Sequence, residues 1–159
     1  MATYSLGDII DSVETTLSAA ASLKRSQSYD ELMPGVHEVP LLQVWPASCD
    51  PVSFGSQTDR LTLGDRSEGE GHSVKEYVIH GDLYGDTRGG RNIGESMKRL
   101  VTAINEMENI LDTQKYPLFG NSNLLSMTWR WEFVTFTYGK VEYCGARFYV
   151  TVRAGTSAI

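Results

Sequence analysis

The sequence predicts an α+β fold: an antiparallel or mixed β-sheet with two amphipathic helices packed on one face, a long β-arm and a C-terminal β-hairpin. Three observations lead there. Two segments repeat apolar residues at helical spacing, and the C-terminal third alternates with period two. The order helix, strand, arm, strand, helix, strand, strand lacks the regular alternation of a doubly wound parallel sheet. A length of 159 residues suits one core, so 1–159 reads as a single domain with an extended arm at about 53–73.

Ser5 can cap a first helix in which Leu6, Ile9, Ile10, Val13 and Leu17 recur at helical spacing, continuing through Ala20 and Ala21 towards Leu23. Residues 24–38 hold Ser, Asp, Pro34 and Gly35 without a period and read as a connector. It leads to a strand at 41–45, bracketed by Pro40 and Pro46, whose missing amides favour a short or edge strand.

Between Ala47 and Ser73 the chain turns polar and glycine-rich, with Gly55, Gly64, Gly69 and Gly71 among many charges. An excursion of this length is uncommon inside a compact domain unless it carries function or stays disordered, and 60–63 could form a strand tip within it. Residues 74–84 then carry β-formers on both faces, Tyr77, Ile79 and Leu83 on one and Val74 and Val78 on the other, as expected of a central strand.

A glycine-rich turn from Gly85 to Gly90 precedes a second helix. Asn92 can cap it, with Glu95 at the capping-box position. Ile93, Met97, Leu100, Val101, Ile104, Met107 and Leu111 make its apolar stripe, and Tyr116, Pro117 and Gly120 mark its end. From Leu124 the period becomes two, with Met127, Trp129, Trp131 and Phe133 alternating with Thr128, Arg130 and Glu132. Tyr138, Gly139 and Lys140 turn the chain into a strand at 141–153, whose apolar face holds Cys144, Ala146, Phe148, Val150 and Val152.

Composition narrows the function classes. Hydrophobic residues at 41% and charged residues at 21% are enough to build a core and argue against global disorder. The formal charge of -6, with 14 Lys and Arg scattered along the chain, offers no footprint for a phosphate backbone. No basic leader and no stretch of about 20 apolar residues is present, which predicts synthesis in a reducing cytoplasm and no membrane partner. Cys49 and Cys144 belong to no metal-binding spacing and read as reduced, buried or half-buried thiols.

The chemical motifs reduce to structural ones. Gly85 and Gly90 have the glycine spacing of a P-loop, but Arg91 and Asn92 follow where lysine and Ser or Thr would bind phosphate and magnesium. His80 and Asp82 project from one strand face without a third ligand, and His72 lies apart, so a satisfied polar pair is favoured over catalysis. Glu68 and Glu70 lack an apolar setting and read as solvation of the arm. The aromatic stripe Trp129, Trp131 and Phe133 reads as core rather than as a ligand platform. Tyr138, Tyr143 and Tyr149, with polar neighbours on the outer sheet face, would suit a subunit interface. The sequence thus calls for no catalytic residue, no cofactor and no metal, and for function by binding other protein chains.

Several segments together form a larger pattern: the amphipathic N-terminal helix, the strands Leu-Leu-Gln-Val-Trp-Pro from Leu41 and Tyr-Val-Ile-His-Gly-Asp-Leu-Tyr from Tyr77, and the hairpin Trp-Arg-Trp-Glu-Phe from Trp129 with Tyr-Gly-Lys-Val-Glu-Tyr-Cys-Gly-Ala-Arg-Phe from Tyr138. In element order and hairpin character this resembles the tail terminator, or tail completion, proteins of long-tailed bacteriophages, related in fold to phage neck proteins. The Ser/Pro-rich connector before Leu41 departs from that pattern. The resemblance implies a homohexameric ring that caps the tail tube, ends its growth and meets the head-completion or connector protein, with DNA passing through the lumen without specific binding. The implied interface residues are Arg60, Leu61, Leu63, Asp65 and Arg66 on the arm, Arg88 and Arg91 by the glycine-rich turn, and Tyr138, Tyr143 and Tyr149 on the hairpin. A tail-tube or neck paralogue is the neighbouring alternative, and a small nucleotide-dependent enzyme using the 85–92 turn is the alternative from another class.

Overall fold

A computed structural model describes residues 5–29, 38–51, 72–87 and 93–157. The arm, with Arg60, Leu61, Leu63, Asp65 and Arg66, lies outside them, as do Arg88, Arg91 and the cap at Asn92.

The fold is α+β with a mixed sheet. Helix α1 spans Leu6–Leu17, strand β1 Arg25–Gln27, β2 Leu41–Pro51 and β3 His72–Thr87. Helix α2 spans Ile93–Asp112, a 3-10 turn Leu118–Gly120, β4 Leu124–Tyr138 and β5 Val141–Ser157. The five strands lie in the order β1-β2-β3-β5-β4. The β1–β2 pair is parallel and the other three pairs are antiparallel.

Helix α1 begins where the sequence places it, because Ser5 Oγ accepts from the Asp8 amide at 3.1 Å and Asp8 sits favourably at the positive helix end. Twelve residues are marginal as an isolated helix, so packing decides. Ile9, Ile10, Val13 and Leu17 are fully buried, and each such side chain contributes about 1.5–3 kcal/mol relative to exposure. The helix stops at Leu17 rather than running on to Leu23. Ser22 then donates through both its amide and its hydroxyl to the Glu106 carboxylate, each at 2.8 Å, and this ties the end of α1 to α2.

Two readings of the segment around β2 are corrected. The connector contains β1, and Pro46 does not end β2. Strand β1 pairs only with Leu41, Leu42 and Gln43, so among the described residues nothing on that side of Pro46 requires its amide, and a register shift between Pro46 and Ser48 absorbs the proline. Cys49, beyond the reach of β1, is exposed rather than buried, and Cys144 is half-buried.

Strand β3 lies between β2 and β5 and runs past the expected turn to Thr87, so Gly85 is a strand residue. A Cβ there would stand 2.8 Å from the Cys144 carbonyl oxygen. Gly145 is tighter still: a Cβ would meet the Leu83 carbonyl oxygen, and the Phe136 ring would lie 2.5 Å away. Only glycine lets the strands and the covering ring approach so closely. At the β4–β5 turn, Gly139 has φ 64°, a conformation that favours glycine.

Residues of both helices and of the sheet share a single core. From α1 come Ile9, Ile10, Val13 and Leu17; from α2, Leu100, Ala103, Ile104, Met107 and Leu111. The sheet contributes Leu42 and Val44, Tyr77, Ile79 and Leu83, and Ala146, Phe148, Val150 and Val152. Phe119 joins them from the 3-10 turn despite φ 52°, with its amide donating to Gln114 Oε1 at 3.0 Å. Three residues assigned to apolar stripes prove exposed. Leu6 lies at the first position of α1, Val101 flanks the stripe of α2, and Phe133 is on the last strand of the sheet. Trp129 and Trp131 are half-buried against the core.

Candidate interaction face

The sheet face that bears Asp82 and Arg147 carries the polar chemistry. Strand periodicity puts Gln43, Asp82, Arg147 and Glu132 in one row across β2, β3, β5 and β4. Trp45, His80, Tyr149 and Arg130 form the next row. Beside the first row, Leu41, Tyr84 and Phe136 form a small buried cluster, against which Val134 and Tyr143 pack.

The ion pairs Arg147–Asp82, Arg153–Glu76 and Arg130–Glu132 lie on this face. Arg147 donates to Asp82 through Nε at 2.7 Å and Nη2 at 3.2 Å, a two-pronged contact with a carboxylate that is 4% exposed. That hydrogen bonding raises the already high Arg147 pKa. Arg153 Nε reaches Glu76 at 3.1 Å further along. Asp82 is therefore engaged by Arg147, and the pairing of His80 with Asp82 expected from their shared strand face is corrected: the His80 ring packs nearly perpendicular to that of Tyr149, with ring centroids 4.8 Å apart. Burial lowers the His80 pKa, and the Arg147 charge lowers it further against the opposing pull of Asp82.

Tyr149 is the hub of the second row. The Arg130 guanidinium sits 3.8 Å from its ring centroid, and its hydroxyl donates to Glu132 Oε1 at 2.6 Å. Tyr143 and Tyr149 are half-buried and Tyr138 is 38% exposed, so all three tyrosines project from the face on which the sequence placed them. Sequence reasoning missed the two-pronged Asp82–Arg147 contact. The available signal was an arginine at a polar position of an apolar strand, but its partner lies 65 residues away.

A pocket of about 220 Å³ lies between the end of β3 and α2, lined by Asp86, Thr87, Ser96, Met97, Leu100 and Cys144. That volume includes open solvent, and the enclosed space has room for about one water, far below the roughly 300 Å³ of a small-molecule site. The Asp86 carboxylate beside it binds Arg99 at 3.1 Å and would repel phosphate. Among the described residues no group of three or more His, Cys, Asp or Glu is placed to hold a metal ion. No helix among them is long and apolar enough to cross a membrane. Every buried side-chain nitrogen or oxygen among the described residues has a hydrogen-bond partner. The chain matches no family model and no curated protein sequence.

Proposed function

We propose that the protein is a structural component of a long-tailed phage virion, a tail-terminator-like subunit that acts by complementarity with other protein chains. In this reading the two helices pack on one face of the sheet, leaving the tyrosine-bearing face and the C-terminal hairpin for contact between subunits. Six copies close into a ring that seats on the tail tube, ends polymerisation and presents its far side to the head connector. DNA passes through the lumen without specific binding. Cyclic symmetry repeats each contact, so individually weak contacts suffice on a template.

The observation that carries the reading is the face around Tyr149. It combines partly exposed tyrosines with arginines whose charges are already balanced by Asp82, Glu132 and Glu76. Tyrosine and arginine are enriched in protein interfaces, and balanced charges lessen the cost of desolvating such a surface. Co-sedimentation with tail tubes tests this. Replacing Tyr149→Ala should weaken tube binding at least about tenfold, the scale of one hot-spot aromatic, while the thermal melt stays cooperative. Undiminished binding by the folded variant would remove this face from the account.

A further inference from the structure

Strand β4 ends the sheet, and among the described residues no strand pairs with its outer edge. Fifteen residues of open edge form a template for another strand, which proteins usually guard with proline, lysine or short length. Leu124–Tyr138 contains no proline, glycine or lysine. Its two charged residues, Arg130 and Glu132, flank Trp131 at the midpoint of the strand and project from the same sheet face.

We propose that β4 pairs antiparallel with β4 of a second copy of this chain, about a two-fold axis at Trp131. Each Arg130 then stands opposite the partner's Glu132. The register is chosen by charge. A slip of two residues one way sets Arg130 against the partner's Arg130, and a slip of two the other way sets Glu132 against the partner's Glu132. A slip of one turns the apolar side chains to the wrong face. Within the single chain Arg130 stacks on Tyr149 and Glu132 Oε1 accepts from the Tyr149 hydroxyl, but the two side chains remain 63% and 48% exposed and meet each other only at 3.8 Å, which leaves each with donor or acceptor capacity for the partner.

The same register joins the aromatics on the core face. Trp131 lies opposite the partner's Trp131, and Trp129 opposite the partner's Phe133. Phe133 is 53% exposed in the single chain, and both tryptophans are half-buried, so the pairing covers the largest uncovered apolar side chains of the strand. Residues 126–136 take part, clear of the register shift between Leu124 and Ser126. A two-fold contact is closed, so it consumes the open edge of both copies and joins two five-stranded sheets into one. It draws on Arg130 and Glu132, which also contact Tyr149, but it describes the free chain, so its test reads the mass of the chain alone rather than binding to a tube.

Light-scattering mass across a concentration series tests it on the wild type, on E132R, on R130E and on the two variants mixed. The wild type should be a dimer. E132R puts arginine opposite Arg130 and R130E puts glutamate opposite Glu132, so each alone should raise the dissociation constant at least about tenfold. Mixed together they should pair, because each supplies the charge the other lacks, and that recovery shows that both are folded. A wild type that stays monomeric, a dimer indifferent to both substitutions, or variants that melt cooperatively yet fail to pair when mixed would each overturn the proposal.

Discussion

His80 sits near the middle of the central strand, beside the Arg147–Asp82 pair and nearly perpendicular to the Tyr149 ring. Burial and the Arg147 charge hold its pKa below 6.5, so the unfolded chain takes up the proton first. The stability linked to this residue is therefore complete above about pH 6.5 and declines as the pH falls from there towards the folded-state value. Urea melts of the wild type and of His80→Gln between about pH 7.5 and 5 should show a steeper loss for the wild type. Parallel curves would mean that His80 is not held neutral by its surroundings. The residue and its strand face were legible from alternation around Tyr77 and Ile79. Its ring partner was not, because Tyr149 lies on another strand and the pairing register of β3 with β5 is a tertiary outcome.

At the scale of elements, Asp82 and Arg147 tie β3 to β5 on the face opposite the main core. Arg147→Met would leave the Asp82 carboxylate buried without its donor. Because Arg147 is itself 32% exposed, the loss belongs at the lower end of the range for broken buried pairs, about 3 kcal/mol by denaturant unfolding. The double replacement Asp82→Leu with Arg147→Met should recover much of that loss, since no orphan charge remains. If the single variant is as stable as the wild type, water reaches Asp82 and the tie is not structural.

Most elements were readable because their periods are set by burial on one side. Ile9, Ile10, Val13 and Leu17 repeat at helical spacing, and Ala146, Phe148, Val150 and Val152 alternate, for that reason. Strand β1 has no such signature. Arg25, Ser26 and Gln27 hold no apolar alternation, and side-chain hydrogen bonds such as Ser26 Oγ to Glu14 at 2.5 Å place the strand beside α1. Pro46 misled for a related reason: proline ends a strand only where a neighbour needs its amide, and β1 stops short of it.

For the whole molecule, the described residues combine one shared core, an aromatic and arginine-bearing sheet face, and a long open edge at β4. The placement of Tyr143 and Tyr149 opposite the buried side of β5 was legible because they alternate with Ala146, Phe148, Val150 and Val152. The remaining interface candidates on the arm and at Arg88 and Arg91 lie outside the described residues. The chain is proposed to work by joining other chains, first its own copies and then a tube end. Electron microscopy of purified protein mixed with tail tubes tests that most directly. The account predicts closed six-subunit rings seated only at tube ends. Tubes left bare at both ends, or the protein itself extending into tubes, would contradict it.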